Sequence, residues 1–127
     1  MTRTAIKAND APGAVGPYSQ AIDTGVLVFL AGQVGLDPAT GQIVEGGVEA
    51  QTERVMRNLT AVLAAAGLTF QDVAKTTCFL SDIANFDAFN AVYARFVSDP
   101  PPARSTFAVA ALPKGALIEV EAIAARR

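Results

Sequence analysis

The sequence predicts an α+β fold, a mixed β-sheet with two helices packed on one face. Three observations lead there. Short apolar and β-branched runs, bounded by Gly, Pro and Asp, recur along the chain as strands do. Two longer segments carry apolar residues at three- and four-residue spacing, as amphipathic helices do. The resulting order, β-β-α-β-α-β-β, has too few helices to cover both faces of a sheet, so both belong on one face. At 127 residues the chain can bury a real core but is too short for two, which predicts one domain over residues 1–127.

PYSQAID, residues 17–23, reads as a short strand after the loop APGAVG, and a further strand is placed near residues 3–7. VLVFLAGQ, residues 26–33, is a stronger strand. Val26, Val28 and Leu30 form one of its faces, and Leu27, Phe29 and Ala31 the other. Both are apolar, so both are expected to be buried. Asp-Pro and Thr-Gly in GLDPATGQIV mark turns.

Residues 48–66 read as a helix, with Val48, Thr52, Val55, Met56, Leu59, Val62, Leu63 and Ala66 on one face. Glu49 and Glu53 near its start suit the helix dipole, and Gly67 can take the left-handed conformation that ends it. DVAKTTCFL, residues 72–80, is the next strand. A second helix spans roughly 85–97, with Phe86, Phe89, Val92, Tyr93 and Phe96 as its apolar stripe and Asp82 or Asn85 as its cap. Pro100–Pro102 end it and hold the chain extended. The strand ARSTFAVAAL follows, LPKG turns, and ALIEVEAIAA is the last strand. One face of that strand carries Glu119 and Glu121 between Leu117 and Ile123. Such a face suits the wall of a polar cleft or a subunit interface, and an edge strand with one wet face accounts for it equally.

Composition narrows the function. With 51% apolar and only 17% charged residues, the chain reads as an oligomer that hides apolar strand faces; a small greasy monomer is the alternative. The net charge of −2, with no long Lys/Arg cluster, argues against nucleic acid as a partner. Arg126 and Arg127 read as a solvated tail. The N-terminus lacks a hydrophobic signal core and no apolar run approaches bilayer length, so a cytoplasmic protein without a membrane partner is expected. Cys78, the one cysteine, excludes an intrachain disulfide and reads more simply as a buried structural thiol than as a nucleophile. Histidine is absent, which removes the Ser-His-Asp triad and imidazole metal ligands. With no GxGxxG, P-loop, CxxC or metal-ligand cluster, neither cofactor nor metal is expected.

Arg104, in PPPARSTF, is the best chemical candidate, a strong base entering an apolar strand. Its guanidinium can hold a carboxylate through two parallel hydrogen bonds. A salt bridge to Glu119 or Glu121 explains it as well, and both readings can hold. Either glutamate could act as a base or position a water. Tyr18 in GPYSQ is a hydroxyl donor or a packed ring. Gly32 and Gly35 in AGQVG mark close backbone approach to a ligand, although a plain turn is the simpler reading.

Several motifs then fall into one register. GPYSQA, AGQVGLDPATG, AAAGLTFQDVAKTTCFLSDIANFDAFNAVYARF and PPARSTFAVAALPKGALIEVEAIA, in that order, closely resemble the RidA (YjgF/YER057c/UK114) family of reactive-intermediate deaminases, from about Ile6 to Ala124. The resemblance implies a bacillus-type chorismate-mutase-like sandwich and a homotrimer with clefts between adjacent subunits. It implies cofactor-free hydrolysis of 2-imino acids, such as 2-iminopropanoate and 2-iminobutanoate derived from 2-aminoacrylate-type enamines, to 2-keto acids and ammonia. It puts the carboxylate-binding arginine at Arg104 and the cleft glutamate at Glu119, as the catalytic pair. It adds Tyr18, Gly32 and Asn90 to the substrate pocket, with Thr106 standing where many members have Cys. Ala31 stands where many members have Ser, and both departures bear on substrate preference. Two other readings compete. A non-catalytic carboxylate-binding regulatory module would use the same Arg104. Ribonuclease or translation-inhibitor activity, shown by some relatives, fits poorly with negative charge and no histidine.

Overall fold

The computed structural model describes residues 2–127. Among them six strands form a mixed sheet: β1 (Thr4–Ile6), β2 (Ala21–Asp23), β3 (Leu27–Val34), β4 (Val73–Leu80), β5 (Ala103–Ala108) and β6 (Ile118–Ala125). Their order is β1-β2-β3-β6-β4-β5. All neighbours are antiparallel except β4 and β5, whose parallel pairing needs a crossover. Helix α2 (Phe86–Tyr93) lies in that crossover and packs beside α1 (Gly47–Ala65) on the same face of the sheet. The architecture is the expected α+β one.

Strand alternation decides what is buried. Val28, Leu30, Thr76, Cys78, Leu80, Ile118, Val120 and Ala122 face the helices and are buried. Val55, Met56, Leu59, Val62 and Leu63 of α1 and Phe89 of α2 close that core. Among the described residues no helix covers the other face. Phe29 there is 43% exposed and Phe107 is 46% exposed, beside the half-buried Phe79 and Ile123. The expectation that both faces of VLVFLAGQ are buried is therefore met only for Val28 and Leu30; Val26, ahead of the strand, is 69% exposed, and Phe29 opens the other face.

Helix α1 ends as its sequence suggests. Gly67 has φ +77, its N–H reaches the Ala64 carbonyl, and the Leu68 N–H reaches the Leu63 carbonyl, each at 2.9 Å. This is the paired Schellman closure, with Leu68 packed into the core behind it. Helix α2 is shorter than its apolar stripe. After Tyr93 the chain tightens into three-residue bonds, Arg95 N–H to Val92 O and Phe96 N–H to Tyr93 O. Asp82 caps the short 3₁₀ turn Ile83–Asn85 ahead of α2, whereas Asn85 makes no capping bond. β5 stops at Ala108, four residues before the expected end at Leu112.

Two further expectations are corrected. Residues 17–20 are not part of the strand that follows them: Tyr18 N–H turns back to the Gly16 carbonyl at 2.9 Å, and the buried Gln20 has its side chain turned to the loop before it. Its amide donates to the carbonyls of Ala8 and Pro12 and its oxygen accepts from Ala8 N–H, which fastens the loop before it. Arg126 and Arg127 are a clamp, not a solvated tail. Arg126 holds Asp23 at 2.6 Å and the Ala66 carbonyl at the end of α1, and Arg127 holds Asp72 at 2.8 Å. The bond from Arg126 holds the Asp23 carboxyl below its usual range. Asp72, also lowered, gains most from the Thr69 N–H.

Candidate active site

Arg104 sits on the edge strand β5, level with Thr76 of β4 and Ala122 of β6. Those partners face the helices, so the arginine does too. Its Nη1 donates to Asn90 Oδ1 on α2 at 2.7 Å. The guanidinium lies over three rings, with its carbon 4.8 Å from the centre of Tyr93, 5.6 Å from Phe86 and 5.7 Å from Phe89. Residues 86, 89, 90 and 93 share one side of α2 by helical spacing, so one stripe supplies both the rings and the amide. Tyr93 is fixed in turn by a 2.7 Å hydrogen bond between its hydroxyl and Thr76 Oγ1, and burial raises its phenol pKa. The aromatic faces attract the cation and align its plane.

Among the described residues no carboxylate comes within 4.0 Å of the Arg104 nitrogens. The salt bridge to Glu119 or Glu121 that the sequence left open is not formed within the chain. Sheet geometry forbids it. Glu119 is level with Phe79, on the face opposite Arg104, and Glu121 is level with Thr77 on that same far face. Thr106, two residues beyond Arg104 and level with Cys78, turns inward as well, and its buried Oγ1 has no hydrogen-bond partner. Burial pushes the Cys78 thiol up to about 11, so it is protonated at neutral pH and poorly nucleophilic.

The second half of the site opens beside β3 and β6. A cleft of about 700 Å³ is lined by Tyr18, Ala31, Gly32 and Glu119, together with the loop Pro12–Val15 and the turns near Pro38 and Pro113. Gln20 holds the first of these loops in place. Tyr18 stands half-exposed at the mouth, its hydroxyl accepting from Val15 N–H at 3.3 Å. Glu119 lies directly over the Gly32 α-carbon. A Cβ at that glycine would come within 2.9 Å of Glu119 Cδ and overlap its carboxylate. The β3–β6 register shifts at this point, between Leu30 and Gln33, which lets the carboxylate cross the strand. Gly35 has a similar reason: a Cβ there would meet the Gln51 backbone of α1 at 3.0 Å. Close approach, and not a plain turn, explains both glycines. Gly32→Ala is therefore expected to displace the Glu119 carboxylate. A mutant that keeps wild-type melting temperature and wild-type turnover would contradict this account of the cleft.

Glu119 makes no ion pair among the described residues, and its pKa is raised, first by burial and then by the nearby Glu121 charge. A carboxylate so placed moves protons more readily near neutral pH than an ordinary one.

The six residues singled out by sequence thus fall into two groups. Arg104, Asn90 and Thr106 lie between the sheet edge and α2; Tyr18, Gly32 and Glu119 line the cleft on the other side. The structure does not bring the groups together within one chain. The chain matches the model of the Endoribonuclease L-PSP family over residues 8–126. It belongs to the RidA/YjgF family. Among relatives of this RidA-family chain, Protein DfrA of Myxococcus xanthus is 53% identical over 98% of this chain and 96% of its own length. The human 2-iminobutanoate/2-iminopropanoate deaminase is 44% identical over 98% of this chain and 90% of its own. The fold of this chain superposes on the crystal structure of E. coli TdcF with bound serine at a TM-score of 0.92, with 40% identity and coverage of 98% and 99% of the two chains.

Sequence reasoning missed three parts of the site. The aromatic box of Phe86, Phe89 and Tyr93 read as a plain core stripe, although its coincidence with a cation on the next strand was a usable signal. The anchoring role of Gln20 has no local signature. Lys114 also lines the cleft and was read only as part of a turn.

Proposed function

We propose that this protein hydrolyses 2-imino acids such as 2-iminopropanoate and 2-iminobutanoate to 2-keto acids and ammonia. It works as a cytoplasmic homotrimer whose sites lie between adjacent subunits. The observation that carries the reading is Arg104, a cation fixed by Asn90 and three rings, with no carboxylate within 4.0 Å among the described residues to neutralise it. That is what a binding group for a substrate carboxylate requires. The names of family relatives, and the serine bound by TdcF, support a small amino-acid-like ligand. The separation of the two groups on opposite sheet faces supports a shared site, as do the uncovered Phe29 and Phe107. Glu119 of one chain and Arg104 of the partner subunit would lie on opposite sides of the bound imino acid, too far apart to pair. The buried, unpaired Cys78 suits a reducing compartment.

Arg104 binds the α-carboxylate through two parallel hydrogen bonds, which orients the C=N carbon. Tyr18, Gly32 and Asn90 shape the pocket, and Thr106 packs beside the anchor. A water attacks the carbon of the protonated imine while Glu119 takes the water's proton. Glu119 returns that proton to the nitrogen of the tetrahedral adduct. The C–N bond then breaks as Glu119 takes the hydroxyl proton and that oxygen becomes a carbonyl, and ammonia leaves. No step needs a cofactor, because the protonated imine is already electrophilic.

The test generates imines in situ with an amino-acid oxidase and follows keto-acid formation. Acceleration of 2-iminobutanoate hydrolysis is the expected result. Tight binding of 2-oxobutanoate without acceleration would instead identify a carboxylate-binding regulatory module. RNA cleavage that persists in Arg104→Ala, with no imine hydrolysis, would place the activity elsewhere.

A further inference from the structure

We propose that Lys114 makes the far end of the cleft a second carboxylate subsite, so that the protein accepts 2-imino acids bearing a side-chain carboxylate, such as 2-iminoglutarate. This rests on the imine-hydrolase reading and adds a specificity residue to it. Among the described residues lining the cleft, Lys114 is the only cation and Glu119 the only acid. The wall that they share is largely apolar, formed by Val15, Leu36, Pro38 and Pro113. Such a wall takes the hydrocarbon part of a substrate side chain, but a charged end buried against it needs a counter-charge.

Two features show that Lys114 is placed for more than turning the chain. Its backbone is left-handed, at φ 57 and ψ 25, the one such non-glycine residue among those described. Most residues with a Cβ are disfavoured there; Gly would make the same turn without that strain and Asn with less of it. The side chain then reaches the Gly41 carbonyl, which also lines the cleft, 73 positions away in sequence, at a long 3.4 Å. An ammonium has three donors, and a long bond to a neutral carbonyl is a weak tether. An anionic carboxylate in the cleft would draw it inward, since hydrogen bonds between ions are shorter and stronger. Arg104 of the partner subunit would hold the α-carboxylate, so the two ends of a dicarboxylic imine meet two different cations.

The experiment compares 2-iminoglutarate with 2-iminobutanoate, both made in situ by oxidases, in wild type, Lys114→Asn and Lys114→Glu. Asn tolerates the left-handed turn while removing the ammonium and its stem, and Lys114→Glu puts a negative charge in its place. In Lys114→Asn, kcat/KM for 2-iminoglutarate should fall about tenfold, mainly through KM, while 2-iminobutanoate changes by less than about twofold. Lys114→Glu should lose 2-iminoglutarate further. Equal loss on both imines, no loss on either, or a wild type that hydrolyses 2-iminobutanoate but not 2-iminoglutarate would overturn the subsite and leave the imine reading intact. If wild type hydrolyses neither imine, the imine reading fails, and calorimetry with 2-oxoglutarate and 2-oxobutanoate still decides Lys114. A 2-oxoglutarate preference lost in Lys114→Asn supports the subsite; equal binding by the two proteins refutes it.

Discussion

Replacing Arg104 with Ala should lower kcat/KM for 2-iminobutanoate by about a hundredfold or more while the protein still folds, because one charged anchor of a desolvated carboxylate is removed. The expectation follows from how the arginine is held. Its guanidinium is already aligned by the Asn90 bond and the Tyr93, Phe86 and Phe89 rings, so little ordering is left for the substrate to bring about. Folding should survive, because Arg104 is on an edge strand and forms no ion pair among the described residues. The loss of its stacking should cost about 1 kcal/mol. Arg104→Lys is the sharper variant. It keeps the charge, but an ammonium cannot present two parallel donors or lie flat on the Tyr93 ring. It should recover little of the lost activity. Near-wild-type turnover by a folded Arg104→Lys protein would show that only a positive charge is needed; near-wild-type turnover by Arg104→Ala would remove the arginine from the site altogether.

Much of this molecule was legible in sequence, for reasons that can be stated residue by residue. The strand and helix order followed from period-two and period-3.6 patterning, which tertiary contacts did not override. Gly67 was readable because a left-handed helix end has few alternatives. The exposed Phe29 was not readable, because a two-sided apolar strand looks the same whether a helix or another subunit covers it. Arg126 and Arg127 were misread, since a terminal basic pair has no local sign of its partners Asp23 and Asp72, which folding brings from 103 and 55 positions away. The site divided in the same way. Arg104 stood out as a charge in an apolar strand. That it cannot meet Glu119 within the chain depends on sheet parity across β4, β5 and β6, which only the register fixes.

Glu119→Gln should have two effects of opposite sign, and together they separate catalysis from structure. Turnover should fall about a hundredfold if Glu119 shuttles the proton of the attacking water. In wild type the acid limb of kcat/KM should lie above the usual carboxylate range, because burial and Glu121 raise the Glu119 pKa. Stability should move the other way. A carboxyl whose pKa is higher folded than unfolded binds more protons in the native state across the window between the two values. Stability is therefore lost as pH rises from the ordinary value of 4.5 through the raised one, and the loss is complete above it. Glutamine has no such titration. The variant should melt higher than wild type at pH 7, and the difference should shrink as pH falls toward 4. The carboxylate also fills the space that a Cβ at Gly32 would take, and a neutral amide of the same shape fills it without the buried charge. Thermal melts of both proteins from pH 4 to 8, beside their rate profiles, decide the matter. A variant that turns over normally yet melts higher leaves Glu119 as a charge with no part in proton transfer. One that is slow and no more stable leaves the raised pKa without structural consequence. Only slow turnover joined to a higher melting temperature at pH 7 fits a glutamate kept in an unfavourable place for the sake of its proton.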